Sequence, residues 1–315
     1  MATHELSAEP THSRWNAELA PRLTIASGDT VHFDCQDASG LQVRDGMTAE
    51  EFARDVDRTR IHCLTGPVWV DGAAPGDVLE IAVLEVAHKG WGWTSVIPGM
   101  GFLKERFTEG YLFHWKLEDE VTRSLAPAEV PLRPFCGIMG VAPREKGEFR
   151  TRAPGVFGGN MDVRELATGA VLYLPVLQPG ALFSCGDAHA AQGDGEVSIN
   201  GIECPADVTL RFTLHKGHAL AGPMLESPAG DKAATGPAWV VVESHTDALT
   251  AARNATSRMI DLLVAEWGFT AVDAYLLCSV AMKLQLSQVV NEPVITVAAA
   301  MAKSVLPERK LFGVG

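Results

Sequence analysis

The sequence lacks the features that indicate a nucleic-acid or membrane partner. It has no long run of Lys and Arg, and its 39 acidic residues outnumber 26 basic ones to give a formal net charge of −13. Such a charge repels phosphate backbones and anionic lipid head groups. No apolar run is long enough to cross a bilayer, and residues 2–13 have neither the basic nor the apolar part of a secretory signal. We therefore predict no nucleic-acid partner, no membrane partner and a cytoplasmic location.

Paired cysteines are absent as well. The six cysteines stand singly, without a CxxC motif, at Cys35, Cys63, Cys136, Cys185, Cys204 and Cys278. This spacing excludes the dense disulfide framework of small secreted domains. We expect reduced thiols that pack as small apolar groups, with Cys185 as the best candidate for a reactive exception. With 315 residues, 47% of them hydrophobic and 21% charged, the chain is globular and can bury a core without staples.

The chain does contain a long series of short apolar or alternating runs, separated by Gly, Pro, Asp and Asn, over residues 23–217. This pattern is typical of a β-rich region. Clear strands are predicted at 31–36, 78–86 and 208–215, and the first of these places Val31 and Phe33 on the core face.

Two segments interrupt that pattern. Residues 49–57 are predicted to form a short helix, with Thr48 as the cap and Glu51 completing a capping box. Residues 91–113 mix Gly, Pro and aromatic residues without a period, so we predict a long loop with some extended structure.

The composition changes after this region. Residues 222–236 are rich in Pro, Gly, Ser and small residues, which predicts an exposed connection. Residues 239–243 follow as a strand candidate. Apolar residues at helical spacing then predict one helix capped by Thr246 or Asp247 and a second that begins after Thr270. The predicted fold is therefore mainly β with a smaller α+β part at the C-terminal end.

Residues 184–196 contain three carboxylates, one imidazole and three glycines. In an extended backbone Asp187 and His189 project to one face, as a pair of metal ligands would. A Gly-Asp-Gly turn could then return Glu196 to the same place, as a ligand or as a general base. This ligand chemistry fits zinc best, with iron or manganese as alternatives. The structural alternative is that Asp187 and Asp194 make turn hydrogen bonds and His189 is a buried core residue.

Two further polar segments could join this pair. Residues 157–162 place Asn160 and Asp162 after two glycines, which permit close approach of the backbone. Their structural alternative is an Asx-type turn in which one of the two caps the following segment. Asp37 lies at the end of the first predicted strand, where a carboxylate can reach a site on the rim.

Several long motifs resemble those of the acetamidase/formamidase family, and they occur in the family's order. The matching motifs are residues 66–73 (GPVWVDGA), 75–79 (PGDVL), 158–162 (GGNMD), 172–176 (LYLPV), 180–183 (GALF) and 186–196 (GDAHAAQGDGE). The similarity runs from about residue 27 to residue 216. Residues 91–102 with 149–151 are similar to the longer, formamidase-type branch of the family.

This resemblance implies a fold and a reaction class. It implies a β-rich part resembling a sandwich or jelly roll, a smaller α+β part, a homodimer or higher homo-oligomer, and a short amide as substrate. We assign residues 1–220 to the amidase domain that carries the site, and 221–315 to the α+β region. The family's acidic and histidine cluster falls on Asp37, Asn160, Asp162, Asp187, His189 and Glu196. Asp34 is an alternative to Asp37, because the sequence before this residue departs from the family's Thr-rich pattern.

These residues together predict a metal-dependent amidohydrolase. We expect Asp187, His189, Asp37 and Asp162 to hold a divalent ion, with zinc as the first choice. Glu196, or failing that Asp194, is the predicted general base, and Asn160 is expected to orient the amide or stabilise the oxyanion. The alternatives are a cysteine amidase that uses Cys185 with His189, and a non-catalytic β-sandwich binding module that holds a structural metal.

Overall fold

The short apolar runs become strands in the computed structural model, which describes residues 1–118, 120–228 and 236–312. The strands are β1 (Thr3–Leu6), β2 (Arg14–Trp15), β3 (Leu23–Ile25), β4 (Thr30–Cys35), β5 (Leu64–Val70), β6 (Val78–His88), β7 (Trp91–Val96), β8 (Tyr111–Lys116), β9 (Val121–Thr122), β10 (Val130–Pro131), β11 (Phe135–Gly140), β12 (Phe149–Arg150), β13 (Gly158–Asn160), β14 (Val171–Pro175), β15 (Phe183–His189), β16 (Ala206–His215), β17 (Met224–Glu226), β18 (Ala238–His245), β19 (Met282–Gln288) and β20 (Ile295–Ala302). The helices are α1 (Ala49–Asp55), α2 (Ala248–Trp267) and α3 (Ala271–Ala281), and a 3₁₀ turn follows at Lys303–Val305.

Two sheets form the body of the molecule. The larger has nine strands in the order β1-β4-β16-β6-β14-β17-β18-β20-β19, and the smaller has five in the order β13-β11-β15-β5-β3. Neighbours pair antiparallel except β1 with β4 and β3 with β5. Non-consecutive neighbours such as β4 and β16 mean that the sheets join segments far apart in the sequence.

The main core lies between these sheets. Phe33 and Phe212 from the larger sheet meet Phe183 from the smaller one, with ring centroids 6.2 and 5.1 Å from that of Phe183. These edge-on contacts are the favoured geometry for aromatic pairs. The predicted core face of β4 is confirmed, since Val31 and Phe33 are buried. The mainly β fold with a sandwich-like part is confirmed.

The helices begin at the predicted caps. Thr48 and Glu51 form a complete capping box at α1, Asp247 accepts a hydrogen bond from the third residue of α2, and Thr270 does the same for α3. The apolar stripe of α2 packs on β18 and β20 in the larger sheet. None of the described helices alone is long and apolar enough to cross a membrane, and α2 with α3 pass that test only as a pair bent by 119°.

Residues 91–113 are more regular than predicted. Strands β7 and β8 form an antiparallel hairpin with six residue pairs, and only its turn region, 97–110, is loop. Aromatic side chains stabilise the hairpin: the Phe113 and Trp115 rings lie 4.8 Å apart, and Trp115 donates to Thr94 Oγ1. Most of the glycines lie in the turn region, and they obscured the strand pattern of the residues on either side of it.

The predicted connection at 222–236 is wrong in its first half. Strand β17 lies between β14 and β18 in the larger sheet, and its Met224 and Leu225 are buried. Residues 229–235 of that prediction lie outside the described part of the chain. Because β17, β18, β20 and β19 extend the sheet begun by β1 and β4, the predicted boundary at 220/221 lies within one sheet. The division into two regions stays a prediction.

Candidate functional site

Strand β15, in the middle of the five-stranded sheet, is buried along its whole length. In the first half of β15, Cys185 packs in the core between the sheets, whereas in the second half Ala188 does so. The alternation of side chains therefore shifts by one residue near Asp187, whose φ of +55° is in the left-handed region. Asp187 and His189 leave the core on the same side, with Asp187 Oδ1 3.8 Å from His189 Nε2. This confirms that the two side chains share one face.

Gly137 of strand β11 gives the neighbouring carboxylates room. A Cβ atom at residue 137 would lie 2.4 Å from Asp162 Oδ1 and 3.0 Å from Asp187 Oδ2, distances too short for real contacts. The backbone N–H of Asp162, which has a φ of +49°, donates to the Gly137 carbonyl at 3.2 Å. The absence of a side chain at residue 137 thus allows residues from the two predicted polar segments to meet.

Four buried carboxylates surround the imidazole of His189. Asp187 and Glu203 form one group with it, and Asp162 and Glu196 form a second, each with one potential ligand atom per residue within 4.8 Å of the others. His189 Nε2 lies 2.9 Å from Glu203 Oε1 and 4.0 Å from Glu196 Oε1. A nitrogen and several carboxylate oxygens converging in this way form a suitable ligand set for a divalent metal ion.

Unpaired polar atoms support this interpretation. Within the described residues, the buried atoms without a hydrogen-bond partner include Asp162 Oδ1, His189 Nε2, Glu196 Oε2 and Glu203 Oε2. The 2.9 Å contact between His189 and Glu203 is short but lacks the alignment of a hydrogen bond. Leaving such groups unpaired in the interior is costly, and a cation at their centre would satisfy them together.

Gln192 orients the imidazole for that role. Its side-chain nitrogen donates to the carbonyls of Asp162 and Ser287, at 2.9 and 3.2 Å, which points its oxygen toward His189. His189 Nδ1 donates to this oxygen at 2.8 Å. The other ring nitrogen, Nε2, then faces the carboxylates. Metal-binding histidines are commonly oriented in this way, by a hydrogen bond from the ring nitrogen that does not bind the metal.

The cluster has strongly perturbed proton affinities. Burial raises the pKa of Asp162 to about 7 and that of Glu203 to about 8. Burial acts in the same direction on Asp187, but His62 and His189 outweigh it and hold its pKa at about 2. Burial lowers the pKa of His189, whereas Glu203 and Asp187 outweigh that effect and hold it well above the usual value. Without a cation, the site therefore retains protons at neutral pH.

The structure brings Asn160 and Asp162 to this site. Asn160 donates to the Arg152 carbonyl at 3.2 Å, and its side-chain oxygen has no partner and faces the interior. Asn291 donates to the Asn160 carbonyl at 3.2 Å and to the Asp162 carboxylate. The second polar segment therefore forms part of the cluster, held by a residue from the C-terminal region.

Asp37 and Asp194 are not in the cluster. Asp37 is buried, but its Oδ1 accepts the N–H of Ser39 at 2.7 Å and it belongs to neither ligand group. Asp194 is 45% exposed and pairs with Arg164 at 2.9 Å. The alternative Asp34 pairs with Lys89 on the surface. Neither the predicted fourth ligand nor the fallback base thus lies beside His189.

Sequence reasoning missed Glu203, His62 and Asn291. Glu203 sits directly across from His189 in a β-bridge, and its backbone exchanges hydrogen bonds with Trp93. One signal was present, since Glu203 is a carboxylate between the apolar Ile202 and Cys204. His62 and Asn291 have no local pattern that would reveal them.

A cavity of about 290 Å³ opens onto the cluster. Asn160, Asp187, Glu196 and Glu203 lie in its polar wall, and Phe52, Ile61, Trp93, Ile97 and Met100 form an apolar one. A second cavity, of about 500 Å³, lies on the other side of Glu196 and contains none of the other cluster residues. The smaller cavity is therefore the better candidate for the substrate site.

Cys185 is placed away from the cavity. Its thiol lies in the core beside the thiols of Cys35 and Cys136, and burial raises its pKa well above the usual value. A nucleophilic cysteine needs a lowered pKa and a base within reach. The geometry therefore argues against the cysteine-amidase alternative.

The fold and site define a β-sandwich protein with a buried carboxylate–histidine cluster, and comparisons with known proteins identify its family. The sequence profile of the Acetamidase/Formamidase family matches residues 2–147 and 144–307. A crystal structure of an acetamidase from Bacillus halodurans has a TM-score of 0.88 and 31% identity, covering 96% of this chain and 98% of that one. The chain belongs to the acetamidase/formamidase family, whose named members are hydrolases of linear amides.

Two curated relatives extend this comparison. An acetamidase of Mycolicibacterium smegmatis is 25% identical, with 86% of this chain and 85% of that protein covered. A candidate formamidase of Schizosaccharomyces pombe is 29% identical over 65% of this chain, and the match spans 64% of that relative's length.

Proposed function

We propose that this chain hydrolyses a short linear amide to a carboxylate and ammonia, at a site that holds a divalent metal ion. The observation that carries the proposal is the convergence of four buried carboxylates, three of them with an unpaired oxygen, on the nitrogen of His189. The names of the relatives support the reaction class, since they include an acetamidase, a formamidase and a candidate formamidase. A non-catalytic binding module is the weaker alternative, because the cluster lies at a cavity that can admit a small molecule.

His189 is common to both groups in this proposal, and Asp187, Glu203 and Asp162 are the other proposed ligands. Glu196, from the second group, lies beside them. One imidazole nitrogen among carboxylate oxygens favours zinc, with iron and manganese as alternatives. When bound, such an ion polarises a carbonyl oxygen and acidifies a water molecule. Asp37, although predicted as a ligand, has no part in this proposal.

Glu196 is the proposed general base. It lies at the cavity with one unpaired oxygen, and burial raises its pKa well above the usual value. A cation at the site would favour the ionised form of Glu196, which can then take a proton from the attacking water and return it to the departing ammonia. Asn160 lines the same cavity, and its unpaired side-chain oxygen is our candidate acceptor for an N–H of the substrate amide, which would fix the orientation of the substrate.

A homodimer in the cytoplasm is part of the same proposal. Helix α3 and strand β19 expose several large apolar side chains, including Tyr275, Leu276, Val280 and Leu284. Large exposed apolar side chains that lie near one another in the sequence are consistent with a subunit interface. All six cysteines are unpaired, as expected for a reducing compartment.

The test is ammonia release from formamide and acetamide, with metal analysis of the same preparations before and after chelation. We expect His189→Ala to lose both metal and turnover, because the only nitrogen ligand of the cluster is removed. The exposed His218 provides the control variant, His218→Ala, which should keep both. A folded His189→Ala protein with wild-type metal content and turnover would contradict the proposal.

A further inference from the structure

Four arginines line the candidate substrate cavity. Arg14, Arg58, Arg150 and Arg152 all line it, together with Asp187 and the other cluster residues. The chain as a whole carries a formal net charge of −13. Four guanidinium groups at one cavity therefore depart strongly from the average charge of the protein.

These arginines lack ion-pair partners. No carboxylate of the described residues lies within 4.0 Å of any of the four, whereas arginines elsewhere, such as Arg123 and Arg258, pair with Glu129 and Glu243. Glu292 lies near enough to raise the pKa of Arg152, but it already pairs with Lys104 at 2.8 Å. Among the described residues, these four arginines thus have no ion-pair partner, although the carboxylates of the cluster line the same cavity.

The fold holds these charges close together. Arg14 of β2 and Arg150 of β12 are directly opposed in an antiparallel pair, where like charges are destabilising. The pKa of Arg152 is lowered by burial and by the charge of Arg150. Arg152 donates to the Val290 carbonyl, and Arg14 donates to the carbonyls of Ser13 and Thr59. These hydrogen bonds to uncharged carbonyl oxygens hold two of the guanidinium groups in position and do not neutralise their positive charge.

The cavity is also larger than a simple amide requires. At roughly 30 Å³ per water, a volume of about 290 Å³ accommodates roughly ten water-sized groups, many more than acetamide contains. Its apolar wall, with Phe52 and Trp93, can pack against a short carbon chain. A substrate that fills it would extend from the carboxylate–histidine cluster to the arginines.

We propose that the preferred substrate is an amide that also carries a carboxylate, such as the monoamide of a short dicarboxylic acid. The arginines bind the carboxylate while the amide reaches Asn160 and Glu196. Guanidinium groups suit this role because their planar forks match a carboxylate in bidentate geometry. The inference rests on the proposed amidase function, since it names the substrate class for that same site.

The test compares butanedioic acid monoamide with butanediamide, a neutral analogue of nearly the same shape. Ammonia release gives kcat/KM for each at constant ionic strength, with the diamide corrected for its two amides. We expect the wild type to favour the monoamide by about 10-fold or more, and added salt to reduce this ratio. Arg150→Gln and Arg152→Gln should each lower the ratio several-fold, whereas the control Arg253→Gln, on the exposed face of α2, should not.

A binding measurement separates this inference from the proposed function. Calorimetric titration with butanedioate and with inorganic phosphate, on wild type and the same variants, needs no turnover. Arginine-dependent binding of butanedioate without hydrolysis of any amide would support the carboxylate site and overturn the amidase function. Hydrolysis of both amides at equal kcat/KM, or a ratio unchanged in the variants, would overturn the carboxylate proposal. Arginine-dependent binding of phosphate but not of butanedioate would also overturn the carboxylate proposal. The same holds if the variants dissociate from an oligomer while the ratio of the two kcat/KM values stays unchanged.

Discussion

Glu196 is the residue on which the proposed proton transfers depend. Glu196→Gln keeps the size of the side chain but removes the proton acceptor, so turnover should fall by about 10²-fold or more. Metal content should stay close to that of the wild type if the residue is a base, and should be lost with activity if it is a ligand. The exposed Asp194 supplies the control, and Asp194→Asn should keep both quantities. Wild-type turnover in Glu196→Gln would remove this residue from the mechanism.

Cys185 gives a second prediction for a single residue. Because its thiol packs in the core beside Cys35 and Cys136, Cys185→Ala should keep its metal and most of its turnover. The free energy of unfolding should fall by about 1 kcal/mol, the scale of removing one buried group of methyl size. Cys278→Ala, in helix α3, is the comparison for a buried thiol away from the cavity. Complete loss of turnover in a folded, metal-loaded Cys185→Ala protein would instead support covalent catalysis.

At the scale of elements, the pairing of β11 with β15 decides whether the carboxylates can meet. Gly137→Ala would place a Cβ atom 2.4 Å from Asp162 Oδ1, so this carboxylate or the strand must move. We expect weaker metal binding, together with a loss of about 1–3 kcal/mol in the free energy of unfolding. Gly110→Ala is the control, since its nearest contact would be an ordinary 3.7 Å. Metal titration and urea unfolding of both variants test this, and identical behaviour of the two would show that the strands do not restrict the site.

At the scale of the whole molecule, the stability of the metal-free protein should depend on pH. Asp162 and Glu203 have folded-state pKa values of about 7 and about 8, above their usual range near 4. Between about pH 4 and pH 8 the folded protein then binds more protons than the unfolded chain, so these groups make stability fall as pH rises. Binding of zinc displaces those protons and should remove most of this loss.

Urea unfolding of chelated protein at pH 5 and pH 8, with and without added zinc, measures this dependence. Burial lowers the pKa values of His12 and His62, so these two residues make stability rise with pH. Because they are present in both proteins, comparing Glu203→Gln with the wild type isolates the contribution of the carboxylate. The variant should lose less stability than the wild type between the two pH values. Equal losses would mean that Glu203 does not hold its proton in the folded state.

Local patterns in the sequence were sufficient for most of the elements. Alternation placed Val31 and Phe33 on the core face of β4, and cap residues such as Thr48 and Thr270 marked the helix starts. Both are properties of a few neighbouring residues, so they can be recognised without knowing the tertiary structure. The β17 strand and the β7–β8 hairpin were missed because Gly, Pro and small residues in and around them resemble a loop.

The sequence by itself determined that Asp187, His189, Asn160 and Asp162 are chemically suited to one site. Only the tertiary structure decided that Glu203 and Asn291 join them, because the β-bridge across from His189 and the hydrogen bonds to Asp162 connect distant segments. It also placed Asp37 and Asp194 outside the cluster, and brought the arginines together at the cavity. The physical reason is that strand alternation fixes only which face a side chain takes. The order and register of strands, set by packing across the whole sandwich, fix which faces meet.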